Sequence, residues 1–216
     1  MARGEDFDAV RTTYDRVAAS YAETISGLTA EAALDVAMID TFAARVRSDG
    51  GGPVLDAGSG PGRVSAYLAS LGLDVSGVDL SPGMVEVARA AYPHLRFEQG
   101  SLQKLDVADA SLSGVIAWYS TIHTPLAGQP EIFSELYRVL RPGGHLLVGF
   151  HVGEGLTRIE RAYGHDVAVD LHLFAVDALA ELLAKAGFEI AATVDREPEG
   201  SERRPQGSVL ARVPLT

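Results

Sequence analysis

The sequence predicts an α/β fold in which a mostly parallel, seven-stranded sheet carries helices on both faces. From residue 53 onward, short apolar segments alternate with amphipathic segments of helical period, as in parallel strands joined by crossover helices. The last two apolar segments, 188–194 and 207–213, are instead separated by a polar loop that contains Pro and Gly. A hairpin there predicts that one strand runs antiparallel to the rest of the sheet.

Length, charge and cysteine content limit the class of protein. The 216 residues suit a single domain spanning 1–216, and the absence of cysteine excludes disulfides and thiolate chemistry. The net charge of −11 disfavours nucleic acid and anionic membrane surfaces as partners. No apolar run is long enough for a membrane span, and the first residues do not form a signal peptide. We therefore expect a cytoplasmic protein with a small-molecule partner; the sequence does not indicate an oligomeric state.

The elements follow from apolar spacing and from turn residues. Two helices are predicted first, over 7–25 and 30–47, before the Gly-rich run at 48–53. Ser81 and Pro82 give a strong helix start, whereas 152–175 is predicted to be irregular. The predicted strands are 53–57, 74–79, 95–99, 113–119, 145–151, 188–194 and 207–213. The predicted later helices are 63–71, 82–92, 130–140 and 177–186, the last capped by Asp177.

A glycine turn follows the first strand, in the segment Val-Leu-Asp-Ala-Gly-Ser-Gly-Pro-Gly at 54–62. Its three glycines permit a tight turn and close approach of a ligand to the backbone. Asp56 would repel a pyrophosphate and attract an ammonium group. Asp79 ends the second strand, where its carboxylate can accept hydrogen bonds from both hydroxyls of a ribose.

The spacing of this turn distinguishes between two classes of cofactor. A dinucleotide fingerprint needs glycine at position 63, where this chain has Arg63. A nicotinamide-dependent oxidoreductase is therefore disfavoured. A glycine turn that binds no ligand is the other alternative.

Four segments together resemble the class I S-adenosylmethionine-dependent methyltransferases. These are the glycine turn at 54–62, the segment Val78–Met84, the segment Leu136–Gly144 and the helical segment Tyr14–Ala22. The resemblance implies a Rossmann-like fold with an N-terminal helical lid over 1–48 and a cofactor-binding core over 53–151. It further implies a substrate-side insertion at 152–175 and a C-terminal helix and hairpin at 176–216.

The resemblance also implies S-adenosylmethionine as cofactor and methyl transfer to O, N or C of a small molecule, such as a secondary metabolite. Arg63 is a candidate partner for the methionine carboxylate, with a solvated helix arginine as the alternative, and Met84 is expected to pack on adenine. The implied cofactor-binding residues are Tyr14, Tyr21, Asp56, Gly58, Ser59, Gly60, Gly62, Arg63, Asp79, Leu80, Met84, Ser101, Leu102 and Trp118.

Two positions depart from the pattern of this family. Gly100-Ser101-Leu102 replaces the acidic residue that usually follows the third strand, so adenine recognition is expected to rest on Ser101 and the N–H of Leu102. Trp118 and Tyr119 stand where a small or amide residue is common, and they are candidates to wall the methionine moiety or the acceptor.

Methyl transfer from a sulfonium needs alignment of the nucleophile and exclusion of water, but it does not require a metal. A base is needed when the acceptor is an alcohol, a phenol or a protonated amine. His123 follows the fourth strand and His151 ends the fifth, and both are candidate bases. The alternative for His123 is a loop histidine bonded to backbone. Tyr119, His123, His151 and His172 are the candidate acceptor contacts. No ligand spacing supports a metal site, and a binder that does not methylate is the remaining alternative.

Overall fold

The computed structural model describes residues 5–25, 27–28 and 31–215. The helices are α1 Glu5–Thr24, α2 Ala33–Ser48, α3 Arg63–Ser70, α4 Pro82–Ala91, α5 Gln129–Val139 and α6 Val176–Lys185. The strands are β1 Pro53–Ala57, β2 Asp74–Asp79, β3 Arg96–Gln99, β4 Leu112–Trp118, β5 Leu140–His151, β6 Leu156–Ala162, β7 His165–His172, β8 Glu189–Arg196 and β9 Gln206–Arg212. The predicted positions at 1–4, 26, 29–30 and 216 lie outside the described residues.

Seven strands form one sheet in the order β3-β2-β1-β4-β5-β9-β8. The pairs among β1 to β5 are parallel, whereas β9 pairs antiparallel with both β5 and β8. This confirms the mostly parallel sheet with one antiparallel strand. After β3 the chain returns to the other side of β1, and this reversal creates a crevice at the carboxyl ends of β1 and β4.

The core lies on both faces of the sheet because successive strand residues point to opposite sides. Val115 and Ala117 of β4 pack in a cluster with α5 and α6. Ile116 and Trp118, which alternate with them, pack in a second cluster with α2 and α3. The fully apolar strands of the sequence are therefore buried on both faces, as predicted.

Two predictions about elements were wrong. Residues 152–175 are not irregular, since β6 and β7 form an antiparallel hairpin in which Ala162 pairs with His165. Tyr163 and Gly164 between them have φ of 52° and 83°, which suits the tight turn of a two-residue hairpin. Asp177 does not cap α6; Ala175 occupies the N-cap and makes no side-chain cap hydrogen bond, because the helix begins at Val176.

The N-terminal helix α1 packs on α4 and on the hairpin. Val17 and Ala18 are buried against Met84 of α4, with Val167 of β7 nearby. Asp15 Oδ1 accepts hydrogen bonds from Ser81 Oγ (2.6 Å) and the Gly83 N–H (3.0 Å), at the start of α4. These contacts place α1 across the carboxyl end of the sheet. No helix in the described part of the chain is long and apolar enough to cross a membrane.

Candidate active site

A cavity of about 440 Å³ lies between α1, the β6–β7 hairpin and the carboxyl ends of the central strands. Residues from the glycine turn, from the loops after β2, β3 and β4, and from the end of β5 line this space together. The cavity is therefore lined both by polar groups and by apolar side chains of α1 and the hairpin, which is usual for a small-molecule site.

The glycine turn adopts a backbone that favours glycine. Gly58 and Gly62 both have φ of 83°, and a Cβ on Gly58 would lie 2.2 Å from Ser120 Cβ. Gly60, with φ of 52°, has no heavy atom within 4 Å of its would-be Cβ and lines the cavity. The turn is thus packed tightly behind Gly58 and leaves open space at Gly60 for a ligand against the backbone.

Asp56 lies buried beneath this turn. Its Oδ2 accepts a hydrogen bond of 2.6 Å from Ser65 Oγ in the first turn of α3. Burial raises the pKa of Asp56 to about 6, although the Ser65 hydrogen bond and the nearby charge of Arg63 oppose the shift. The pKa of Asp56 therefore lies closer to neutral pH than the pKa of an ordinary aspartate.

Asp79 ends β2 at the edge of the cavity. Its Oδ2 accepts the Gly60 N–H at 2.7 Å and its Oδ1 accepts the Ser81 N–H at 2.9 Å. Burial raises its pKa, while these N–H donors act in the opposite direction. Because each oxygen accepts more than one hydrogen bond, Asp79 retains sites for hydroxyl donors of a ligand.

Arg63 is not a solvated helix arginine. Its side chain is 10% exposed, and Nη1 lies 2.5 Å from Oε1 of Glu31, whose side chain is 3% exposed. The same oxygen accepts a hydrogen bond of 3.3 Å from Trp118 Nε1. Glu31 Oε2 is buried without a hydrogen-bond partner among the described residues. This leaves an unsatisfied carboxylate oxygen in the wall of the cavity.

Tyr14 and His123 are in direct contact across the cavity. Tyr14 Oη lies 2.8 Å from His123 Nε2, and His123 Nδ1 lies 2.7 Å from the carbonyl oxygen of Asp170. Burial raises the pKa of Tyr14 well above its usual value and lowers the pKa of His123. Both groups are therefore uncharged at neutral pH.

His151 lies at the end of β5 beside Tyr119, with ring centroids 4.9 Å apart. His151 Nδ1 bonds to Gln206 Oε1 at 2.8 Å, so Nδ1 donates and the neutral ring carries its lone pair on Nε2. Burial lowers the pKa of His151. Tyr119 has φ of 55°, an uncommon backbone for a non-glycine residue and one that recurs at functional sites.

The structure brings most of the predicted site residues to this cavity. Those that line it are Tyr14, Tyr21, Gly58, Gly60, Arg63, Asp79, Leu80, Met84, Ser101, Leu102, Trp118, Tyr119, His123 and His151. Asp56, Ser59 and Gly62 lie behind the glycine turn and not in the lining. His172 lines a separate pocket of about 120 Å³ on the far side of His123, so its contact with an acceptor stays a prediction.

Sequence reasoning missed a set of charged residues in and behind the same wall. Asp35 of α2 and Glu202 of the β8–β9 loop line the cavity, and the buried Arg196 bonds to both carboxylates. Glu31 was missed in the same way. Asp35 and Arg196 are separated by 161 positions, and no local pattern in the sequence links them.

Comparison with known proteins places these features in a family. A family described as "Methyltransferase domain" matches residues 54–144, which contain the glycine turn and Asp79. A probable S-adenosylmethionine-dependent methyltransferase of Mycolicibacterium smegmatis is 35% identical over 67% of this chain and 54% of its own length. The chain carries a class I S-adenosylmethionine-dependent methyltransferase domain. It spans about half the length of the curated relatives it matches.

Solved structures share the fold of this methyltransferase domain. A 1,6-didemethyltoxoflavin-N1-methyltransferase of Burkholderia thailandensis, with S-adenosylhomocysteine bound, aligns over 99% of this chain and 91% of its own. Its TM-score is 0.74 at 22% identity. The cyclase SpnF aligns over 97% of each chain, with a TM-score of 0.73 at 19% identity. At these identities the likeness concerns the fold alone.

The cavity of the methyltransferase domain has the polar groups and the free space that S-adenosylmethionine requires. Open space at Gly60 lies next to the acceptor oxygens of Asp79. Ser120 Oγ and Glu31 Oε2 are buried polar atoms of the lining without partners among the described residues. Buried polar atoms that lack partners are costly and often indicate a ligand that is to be bound.

Proposed function

We propose that this protein transfers a methyl group from S-adenosylmethionine to an O, N or C atom of a small molecule. The observation that carries the proposal is one cavity at the reversal of strand order, lined by the glycine turn, by Asp79 and by the aromatic residues Trp118 and Tyr119 at the end of β4. In this proposal the cofactor occupies the part of the cavity next to Gly60 and Asp79. The acceptor occupies the part under α1 and the hairpin.

The residues of the cofactor half have distinct roles in this proposal. Asp79 accepts the ribose hydroxyls, and Gly60 lets the ligand lie against the backbone. Met84 and Leu102 enclose the adenine, with Ser101 as the hydrogen-bonding group in place of an acidic side chain. Tyr21 and Arg63 lie at the methionine end. All of these residues line the cavity, and the proposal assigns each of them to one part of the bound cofactor.

When bound, S-adenosylmethionine supplies a methyl group on a positively charged sulfur, which is already an activated donor. The protein's contribution is then to align the acceptor and to exclude water. Alignment alone is worth about 7–11 kcal/mol in favourable cases. Apolar side chains of α1 and the hairpin, including Val10, Ile159 and Val169, exclude water from the acceptor half.

Asp79→Ala tests the cofactor site. We expect the affinity for S-adenosylmethionine, measured by calorimetry, to fall by about 100-fold, because two hydroxyls lose a charged acceptor worth about 1.5–3 kcal/mol per bond. Asp74→Ala is the matched control, since Asp74 is an exposed carboxylate at the other end of the same strand. Equal affinity of the two variants would contradict the assignment of Asp79. Failure of the wild-type protein to bind S-adenosylmethionine would contradict the proposed function.

A further inference from the structure

The contact between Tyr14 and His123 has a defined direction of proton donation. A carbonyl oxygen only accepts hydrogen bonds, so His123 Nδ1, at 2.7 Å from the Asp170 carbonyl, carries a proton. In the neutral ring the lone pair is then on Nε2, and Tyr14 Oη donates to it at 2.8 Å. The lone pair of His123 is therefore already occupied. A ligand that approaches this pair meets the phenol oxygen of Tyr14, which still accepts hydrogen bonds.

The surroundings of the pair are apolar on the acceptor side. The side chains that line the cavity there come from α1, from the loop after β4 and from the hairpin: Val10, Ile122, Ile159, Val169 and Leu171. The pKa of Tyr14 is affected by the nearby titratable groups Tyr21, Tyr163 and Asp79. The pKa of His123 is affected by Asp170, His172 and His151. Burial raises the pKa of Tyr14 most, and the charge of Asp79 adds the smallest of these contributions.

The cations of the lining already have carboxylate partners. Arg63 pairs with Glu31 at 2.5 Å, and Arg11 near the opening pairs with Asp8 at 3.1 Å. Asp35 and Glu202 share Arg196, which lies behind the lining. Within the described residues, Arg63 is the buried arginine of the lining and is already neutralised by Glu31, whereas Arg11 belongs to an exposed pair. A carboxylate or phosphate on the acceptor would therefore have no unpaired buried arginine to neutralise it.

We propose that Tyr14 contacts the reacting oxygen of an uncharged, largely apolar acceptor with an acidic hydroxyl, a phenol or an enol, and passes its proton to His123. This inference rests on the proposed methyl transfer and names its substrate class. In the step, the acceptor O–H proton moves to Tyr14 Oη while the Tyr14 proton moves to His123 Nε2. A bond forms between the acceptor oxygen and the methyl carbon, and the electron pair of the cleaved sulfur–carbon bond stays on sulfur. The positive charge passes from sulfur to His123, which later releases its proton to water.

The acceptor needs an acidic hydroxyl because His123 is a weak base. A buried imidazole in an apolar wall takes up a proton less readily than one in water, because the charged form loses solvation. The pKa of a phenol, about 10, is much closer to the pKa of an imidazole than is the pKa of an aliphatic alcohol, which is near the value of about 15.7 for water. The geometry therefore selects acceptors by acidity as well as by charge.

A set of naphthalenes tests the substrate class. The probes are 1-naphthol, 1-naphthylmethanol, 1-naphthoic acid and 1-naphthylmethylamine. Binding is measured by calorimetry with S-adenosylhomocysteine present, and methylated product is measured by mass spectrometry with S-adenosylmethionine. We expect 1-naphthol to bind and to be converted to its methyl ether at least 100-fold faster than the other three are methylated.

Three variants test the roles of the pair. Tyr14→Phe is expected to weaken 1-naphthol binding by about 5-fold, the loss of one hydrogen bond, and to lower kcat by at least 100-fold. His123→Gln still accepts from Tyr14 but takes up no proton, so kcat falls while 1-naphthol binding changes less than 2-fold. Both variants should lose the acidic limb of the pH–rate profile and bind S-adenosylmethionine within 3-fold of wild type. Tyr67→Phe is the matched control, because Tyr67 is bonded to Asp40 on the surface.

Four results would overturn the inference. They are binding of none of the probes, preferred methylation of the acid, the amine or the aliphatic alcohol, an unchanged kcat in Tyr14→Phe, and loss of the acidic limb in His151→Gln but not in His123→Gln. In each case, retained binding of S-adenosylmethionine by the wild-type protein would leave the proposed function standing. Failure of the wild-type protein to bind S-adenosylmethionine is the separate result that contradicts the proposed function.

Discussion

Asp56 is a buried carboxylate whose ionisation opposes folding. Its pKa is about 6 in the folded protein, above the ordinary value of 3.8 for an aspartate, so the folded state binds the proton more tightly than the unfolded state. The stabilising contribution of the proton is complete below pH 3.8 and is lost as the pH rises through 6. The ionised Asp56 therefore makes the protein less stable at neutral pH than it would be with this carboxyl protonated.

Asp56→Asn is expected to raise the free energy of unfolding at pH 8, because Asn still accepts from Ser65 but carries no charge. The gain is at most about 3 kcal/mol, given a shift of about two pKa units. It should shrink towards zero at pH 4. Urea unfolding at the two pH values measures it, with the exposed Asp106→Asn as control. A gain of the same size at both pH values would show that ionisation of Asp56 is not the cause.

At the level of an element, one carboxylate of α1 bonds to the start of α4, beside the apolar contact of Val17 and Ala18 with Met84. Asp15 Oδ1 accepts from Ser81 Oγ and from the Gly83 N–H, while Ser81 Oγ itself accepts the Met84 N–H at 3.0 Å. Asp15 thus lies at the positive end of the α4 dipole, where a negative charge is stabilising. Since Met84 and Leu80 line the cavity beside this contact, the position of α1 affects the shape of the cavity.

Asp15→Ala should release α1 from α4 and speed amide hydrogen exchange in residues 10–22 by at least 10-fold. Hydrogen bonds to a charged group contribute about 1.5–3 kcal/mol, enough for such an increase in local opening. Asp8→Ala is the matched control, since Asp8 is on the same helix but pairs on the surface with Arg11. Equal exchange rates in the two variants would show that Asp15 does not hold the helix in place.

The β6–β7 hairpin shows why one element escaped prediction. β6 has no buried residue and β7 has only two, so the hairpin lacks a continuous apolar run, and Tyr163-Gly164 does not stand out as a turn. The alternation of Val167, Val169 and Leu171 was the signal that could have identified β7. Central strands of the main sheet such as β4 are easier to predict, because burial on both faces favours a nearly continuous apolar run.

For the whole molecule, Arg196 joins distant parts of the chain in the interior. Its guanidinium bonds to Asp35 of α2 and to Glu202 of the β8–β9 loop, and the side chains of Arg196 and Asp35 are 6% and 3% exposed. Burial of such a group is tolerated only with its partners in place, because an unpaired charge in the interior is costly. The network therefore fixes the wall formed by Asp35 and Glu202 relative to the sheet.

Arg196→Met is expected to lower the free energy of unfolding by about 3–5 kcal/mol, because Asp35 is left buried without its partner. Arg158→Met removes an exposed pair with Asp170 and should cost less than about 1 kcal/mol. Urea unfolding of both variants gives the comparison. Adding Asp35→Asn to Arg196→Met should recover part of the loss; if it adds to the loss instead, the buried charge is not the cause.

The sequence by itself determined the sheet, its one reversed strand, the glycine turn with Asp56 and Asp79, and the positions of His123 after the fourth strand and His151 at the end of the fifth. These features depend on local spacing and on burial, which leave periodic patterns in the chain. Only the tertiary structure decided that Tyr14 bonds to His123, that Arg63 pairs with Glu31 and that Arg196 joins Asp35 to Glu202. The partners in these contacts lie far apart in the sequence, and a polar side chain carries no local mark of the group it meets when the chain folds.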